Sequence, residues 1–119
     1  MELQPLREPS AFEQLLLARL LERPFPGSEA IEEQLQEGFM VQSVGSDGTL
    51  DFFTKAGPKA IVHNSVPVEG EAEDVDGITI HFLLHVIEGT VRGIEVYKDD
   101  SSPVIEMPDP SELRIFTPP

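Results

Sequence analysis

The chain has 119 residues, no cysteine, and 22 acidic against 8 basic residues, which gives a formal net charge of −14. This length fits a single domain, 1–119, that can bury a core without disulfides or a structural metal. The missing cysteine excludes disulfides, thiolate metal sites and a cysteine nucleophile. The negative charge repels phosphate backbones and anionic lipid, so we expect no nucleic acid and no membrane as partner. A basic protein or a divalent cation is electrostatically favoured, and we expect a basic protein as partner.

The expected compartment is the cytoplasm. No apolar run approaches the ~20 residues that span a bilayer. Met1 is not followed by a basic segment leading into an apolar one, which is the pattern of a signal peptide. A cysteine-free composition also suits a reducing cytosol.

The N-terminal third predicts an extended arm and two helices. Two prolines disfavour helix within residues 1–9, so this arm is expected to be extended. Ser10 and Glu13 match a capping box, and leucines at helical spacing follow them. A second, shorter helix is expected with Ser28 as its N-cap. Together these elements place the helical part at 10–37.

From residue 39 the apolar spacing changes to the alternation that is typical of strands. The segment 39–116 is expected to form an antiparallel sheet of five or six strands, beginning with a hairpin. Short strands are expected at 59–63 and, as an edge strand, at 104–107, whereas 117–119 should fray. The predicted fold class is α+β, with two N-terminal helices packed on the sheet.

Three strands within 66–97 form the centre of this sheet and are joined by two turns that end in glycine. Both turns are predicted as three-residue loops with glycine in the left-handed region. This register places Phe82 opposite Ile94, and it gathers the large aliphatic residues on one face, where the helices are expected to pack. A two-residue second loop would instead pair Phe82 with Glu95 and bury a carboxylate, which is costly.

The same register predicts one polar constellation on the face opposite the core. Glu71, His81 and Glu95 fall in a single cross-strand row. An imidazole between two carboxylates could bind a divalent metal ion, or act as a general base. The plain alternative is a solvated sheet face on which opposite charges alternate across strands.

Several short segments in the C-terminal half form a recognisable pattern: Leu83-Leu84-His85-Val86, Glu88-Gly89, Ile94-Glu95-Val96-Tyr97, Pro103-Val104 and Pro108-Asp109-Pro110. In these segments the chain resembles an uncharacterised bacterial family of small acidic domains. The resemblance covers 10–116 and implies a helical N-terminal part followed by a β-meander. It implies no activity and no catalytic residue.

Three functions follow as hypotheses. The first is a non-enzymatic interaction module that binds a basic partner, with an inhibitory or immunity-like role as one form of it. Net charge and the absence of P-loop, EF-hand and G-x-S-x-G patterns favour it. The second is a metal-dependent or acid–base enzyme that uses Glu71, His81 and Glu95. The third is a homodimer built through the edge strand at 104–107. No cofactor is expected.

Overall fold

The computed structural model describes residues 4–55 and 57–118. The elements in chain order are helices α1 (Ala11–Leu20) and α2 (Ser28–Gln36), strands β1 (Phe39–Val44), β2 (Thr49–Thr54), β3 (Val68–Glu73), β4 (Thr79–Ile87) and β5 (Thr90–Lys98), a 3-10 turn (Pro110–Glu112) and strand β6 (Arg114–Phe116). The predicted α+β class is confirmed. Predictions for 1–3 of the arm, for Ala56 in the loop after β2 and for Pro119 of the tail lie outside the described residues.

All strand pairs are antiparallel, and the sheet order is β1-β2-β5-β4-β3-β6. Strands β3, β4 and β5 form the predicted meander. The β1–β2 hairpin joins it through β2 and β5, and β6 pairs with β3 at the opposite edge. Both helices contribute to the same hydrophobic core as one face of the sheet.

The core lies between the two helices and this face of the sheet. Strand β4 alternates buried and half-buried residues over almost its whole length, as an antiparallel strand with one covered face requires. Phe82 from β4, Leu20 from α1 and Ile31 from α2 are among the largest fully buried side chains. Burying a side chain of this kind contributes roughly 1.5–3 kcal/mol. The helices therefore pack on the face predicted for them.

The two helices begin differently. At α1 the predicted capping box is present, because Glu13 N donates to Ser10 Oγ at 3.1 Å and Ser10 N donates to Glu13 Oε1 at 2.8 Å. At α2 the N-cap is Gly27, whose φ of 92° is a left-handed value that favours glycine. The prediction of Ser28 as N-cap is wrong, since its hydroxyl accepts from Phe25 N instead.

Two predicted strands are loops in the structure. In 59–63 the one ladder-like contact is Ala60 N donating to Gly89 O at 2.8 Å. In 104–107 three backbone N–H groups donate to carboxylates of other loops, as when Ile105 N donates to Asp74 Oδ2 at 2.7 Å. The edge strand proposed for a homodimer is therefore not a strand, and within the described residues β1 and β6 are the outermost strands.

The turn between β3 and β4 follows the prediction. Asp74 N donates to Ile78 O at 2.9 Å across a three-residue loop, and Gly77 has a φ of 84°. Ala72 accordingly pairs with Ile80, as predicted.

The turn between β4 and β5 differs from the prediction. Ile87 pairs with Thr90 around a two-residue loop, so the three-residue prediction is wrong. Both loop residues have positive φ, 51° at Glu88 and 78° at Gly89. Positive φ at both positions is the signature of a type I′ turn, whose twist matches the right-handed twist of the flanking strands.

A β-bulge in β5 compensates for the shorter turn. Val86 pairs with Val91 and His85 with Gly93, which leaves Arg92 as one extra residue on β5. Beyond the bulge, Phe82 lies opposite Val96 rather than Ile94. Because of the extra residue, the apolar side chains of β5 that follow the bulge face the core and Glu95 faces solvent.

The last residue of β5 is a fully buried lysine. Lys98 Nζ lies 3.0 Å from Asp74 Oδ2 and 2.7 Å from Asp76 Oδ2, both in the β3–β4 turn region. Asp74 also accepts hydrogen bonds from Ile105 N and Glu106 N. One buried ion pair therefore ties the end of β5, the β3–β4 turn and the segment after β5 together.

This network predicts a defined dependence of stability on pH. Burial alone would raise the pKa of Asp74, but the hydrogen bonds from Ile105 N, Lys98 and Glu106 N together hold this pKa well below its usual range. Because the folded-state pKa is lowered, the contribution of Asp74 is fully present above its unfolded pKa of about 3.9 and is lost as pH falls through the folded value.

Asp74→Asn, which cannot ionise, is therefore expected to be less stable than the wild type from about pH 5 to pH 8. The stability difference between the two proteins should shrink as pH drops below about 4. Urea unfolding of both proteins across this range measures it. A difference that stays constant or grows toward acid would contradict the assignment.

Candidate functional site

The face of the sheet opposite the helices is open to solvent in the part of the chain that the structure describes. We call it the uncovered face. Its members, given by strand register and alternating burial, are Met40, Gln42, Val44, Asp51, Phe53, Glu69, Glu71, Glu73, His81, Leu83, His85, Ile87, Glu95, Tyr97, Arg114 and Phe116. The face combines carboxylates with exposed large apolar side chains, a composition that is typical of interaction surfaces.

His81 lies at the centre of this face. It pairs across the strands with Glu71 on one side, as predicted, and the closest approach is 3.7 Å from Glu71 Oε2 to His81 Nδ1. On the other side it pairs with Tyr97, and the two rings stack with centroids 5.0 Å apart and planes at 21°. His81 Nε2 lies 2.5 Å from Oδ1 of Asp99, just beyond β5.

Glu95 lies elsewhere on the uncovered face. The bulge places it opposite Leu83, and its Oε1 is 2.9 Å from Nε2 of His85. The predicted row of Glu71, His81 and Glu95 is therefore wrong for Glu95, because the shorter turn and the bulge shift β5 by two residues relative to the expected register.

The structure brings Glu71 and His81 together and leaves Glu95 with a different histidine. Across residues 4–55 and 57–118, no three His, Asp or Glu side chains are grouped so that they could hold a metal ion. The metal and acid–base hypotheses remain predictions.

The carboxylates of β3 differ in their local compensation. Arg114 on β6 binds two of them, with Nη2 at 2.6 Å from Glu73 Oε2 and 3.2 Å from Glu71 Oε1. The hydrogen bond to Glu73, followed by that to Glu71, raises the pKa of Arg114. In the described chain, no basic residue forms an ion pair with Glu69.

Negative charge is concentrated around Tyr97, whose side chain is 39% exposed. Partial burial raises the pKa of its phenol, and the nearby charges of Glu69, Glu95 and Asp99 raise this pKa further. We call Tyr97 with these three carboxylates the acidic patch. It presents an aromatic ring within a negative field, which is an environment that attracts cations.

A shallow cavity of about 440 Å³ adjoins this patch. It lies where β2 and β5 share only two residue pairs, and its charged and polar lining consists mainly of Asp51, His85, Arg92 and Glu95. Val44 and Ile87 supply apolar walls. The cavity has the size and chemistry to accept one long side chain of a partner.

Sequence reasoning missed the partners of His81 and the role of Tyr97. Two features of the sequence pointed to them: Glu88-Gly89 suits a two-residue turn, and without an extra residue in β5 that turn would bury Glu95. A bulge satisfies both, and it places Tyr97 beside His81.

The fold and its open face define a class of protein, an α+β domain with helices on one side of a six-stranded antiparallel sheet and an acidic, partly apolar surface on the other. In the described ranges no helix is both long enough and apolar enough to cross a membrane. Residues 6–108 match the family model described as a domain of unknown function, DUF6984, and the chain belongs to this family. The predicted membership of an uncharacterised domain family is thereby confirmed. No curated protein and no solved structure shows significant similarity to the chain.

Proposed function

We propose that this protein is a non-enzymatic interaction module that binds a basic protein partner on its uncovered face. The observation that carries the proposal is the acidic patch. Glu95 and Asp99 lie two residues before and after the partly exposed Tyr97, and the charges of Glu69, Glu95 and Asp99 raise the pKa of its phenol. A net charge of −14 attracts a basic partner from a distance. The acidic patch is the part of the surface on which we expect the basic partner to bind.

The chemistry of the patch favours lysine or arginine in an extended or loop segment. A cation beside a tyrosine ring gains roughly 0.5–1 kcal/mol at an exposed site, and more when water is excluded. The carboxylates around the ring add charge-assisted hydrogen bonds, which are stronger than neutral ones. The exposed apolar residues of β1 and β2, Met40 and Phe53, extend the contact area beyond the charges.

We further infer a bacterial, cytoplasmic setting and an inhibitory or immunity-like role. The family resemblance described above supports the bacterial setting. The cysteine-free composition suits the cytoplasm. An acidic surface of this kind would inhibit a partner by occupying the cations with which that partner holds its own anionic ligand.

A short oligo-arginine peptide serves as the probe of this proposal. Binding measured by calorimetry is expected to weaken as salt is raised, because exposed charges are screened. Glu69→Gln combined with Glu95→Gln should weaken binding roughly three- to tenfold at low salt. The matched control is Glu33→Gln with Glu37→Gln, which removes the same charge from an exposed position on α2 and from its exposed C-cap, on the other side of the sheet.

The control variant should retain most of the wild-type affinity. Equal losses in the two variants would mean that net charge alone drives binding, and the proposed surface would be rejected. A natural partner captured from a lysate whose retention ignores ionic strength would equally contradict the electrostatic part of the proposal.

A further inference from the structure

Only some of the basic residues in the described part of this acidic protein form ion pairs. Of its eight basic residues, four form ion pairs with carboxylates, namely Arg7, Arg19, Lys98 and Arg114. Three of the others, Lys55, Lys59 and Arg92, line one cavity of about 330 Å³. In the described part of the chain no aspartate or glutamate lines this cavity, and none forms an ion pair with these three residues.

The cavity is built where β2 ends and β5 begins. Thr54 and Lys55 come from the end of β2, and Thr90 comes from the start of β5. Lys59 is held in place by donating from Nζ to Thr90 Oγ1 at 2.8 Å. Arg92 is the extra residue of the β5 bulge, a device that commonly redirects a side chain beside a functional site.

The loop that carries the two lysines is held in place by a side chain of α2. Gln34, a buried residue of α2, donates from Nε2 to Pro58 O at 2.7 Å and to Gly89 O at 2.8 Å. Its Oε1 accepts from Val91 N at 2.9 Å. One side chain thus fixes the segment before Lys59 against the last residue of the β4–β5 turn and the start of β5, which leads to Arg92.

We propose that this cavity binds a small phosphorylated molecule. Three cations gathered without a counter-charge repel one another, and an anion between them removes that cost. Two ammonium groups, a guanidinium and two threonine hydroxyls match the several oxygens and multiple charge of a phosphoryl group better than those of a single carboxylate. Phe53 at the rim is 44% exposed and offers an apolar surface to the organic part of the ligand.

The charge of the whole molecule limits the size of the ligand. At −14, the protein repels a long polyanion such as a nucleic acid over most of its surface. A small anion meets mainly the local field of the cavity. The acidic patch contains none of the three cations, so the two proposals rest on different charged groups. They share Phe53, and Arg92 also lines the cavity beside the acidic patch.

Pyrophosphate is the probe, titrated at constant ionic strength and followed by calorimetry and by thermal shift. We expect saturable binding and a rise in Tm, because a ligand that binds only the folded state stabilises it. Lys55→Met and Arg92→Met should each weaken binding about tenfold, the loss expected from one charge-assisted hydrogen bond. Arg23→Met is the matched control, since it removes an exposed cation outside the cavity.

Three results would overturn the proposal. One is the absence of saturable pyrophosphate binding to the wild type. A second is an equal loss in Arg23→Met and Arg92→Met, which would indicate attraction by general charge. A third is equally tight binding of citrate, which would show that the cavity accepts multivalent anions without preference for phosphate.

Discussion

Replacing Lys98 with methionine is expected to lower Tm by roughly 10 °C or more. The substitution keeps the length and most of the apolar stem of the side chain, but it removes the ammonium group that lies 3.0 Å from Asp74 Oδ2. Asp74 is then a buried carboxylate without its cation, which is the costly arrangement for an ion pair in a protein interior. Thermal unfolding by circular dichroism measures the change.

Lys55→Met is the matched control, because Lys55 is an exposed lysine that forms no ion pair within the described chain. It should shift Tm by no more than a few degrees. A Lys98→Met protein as stable as this control would contradict the structural role of the buried pair. In hydrogen exchange, the amides of Ile105 and Glu106 should also lose protection in Lys98→Met, since both donate to Asp74.

Gly93→Ala is expected to destabilise the protein by about 3 kcal/mol, at the upper end of the range for overpacking. Gly93 pairs with Asp51 where β5 meets β2, and a Cβ at this position would overlap the backbone carbonyl oxygen of Leu50. Backbone cannot rotate away as the end of a side chain can. In the described chain the β1–β2 hairpin pairs with the meander at two residue pairs, and Asp51–Gly93 is one of them. This hairpin should therefore loosen first.

Gly70→Ala provides the comparison, because it makes the same chemical change in β3. There the new Cβ would lie 3.3 Å from the ends of the flexible Leu20 and Ile115 side chains. These ends can move, so Gly70→Ala should remain within about 1 kcal/mol of the wild type. Chemical denaturation of both variants, with hydrogen exchange of β2, tests the difference. Equal costs, or a β2 that exchanges no faster in Gly93→Ala, would contradict it.

The local rules of sequence account for most of the fold. The Ser10–Glu13 capping box, the alternation through Phe82 and the glycine-ended β3–β4 turn each have one favoured structure, and each is found. The apolar pattern gives the wrong secondary structure where a side chain from a distant segment binds the backbone. Residues 104–107 look like a strand, but carboxylates such as Asp74 bind their backbone instead of a neighbouring strand.

The candidate site was predicted less well for a related reason. A register error of two residues leaves the same side chains on the same face, so the uncovered face could be predicted from alternation alone. The partners of each residue could not, because they depend on where the extra residue, Arg92, is inserted. Lys98 was missed although it follows Val96 at an inward position, since a buried lysine is expected only when its counter-charges are known.

Backbone amide chemical shifts, recorded during a titration with the oligo-arginine peptide, locate the surface on which a basic partner binds. We predict that the largest shifts fall on Tyr97 and on the strands that carry Glu69 and Glu95, with amides of α2 unchanged. Shifts that concentrate on α2, or that spread evenly over all acidic residues, would contradict the assignment of binding to the uncovered face.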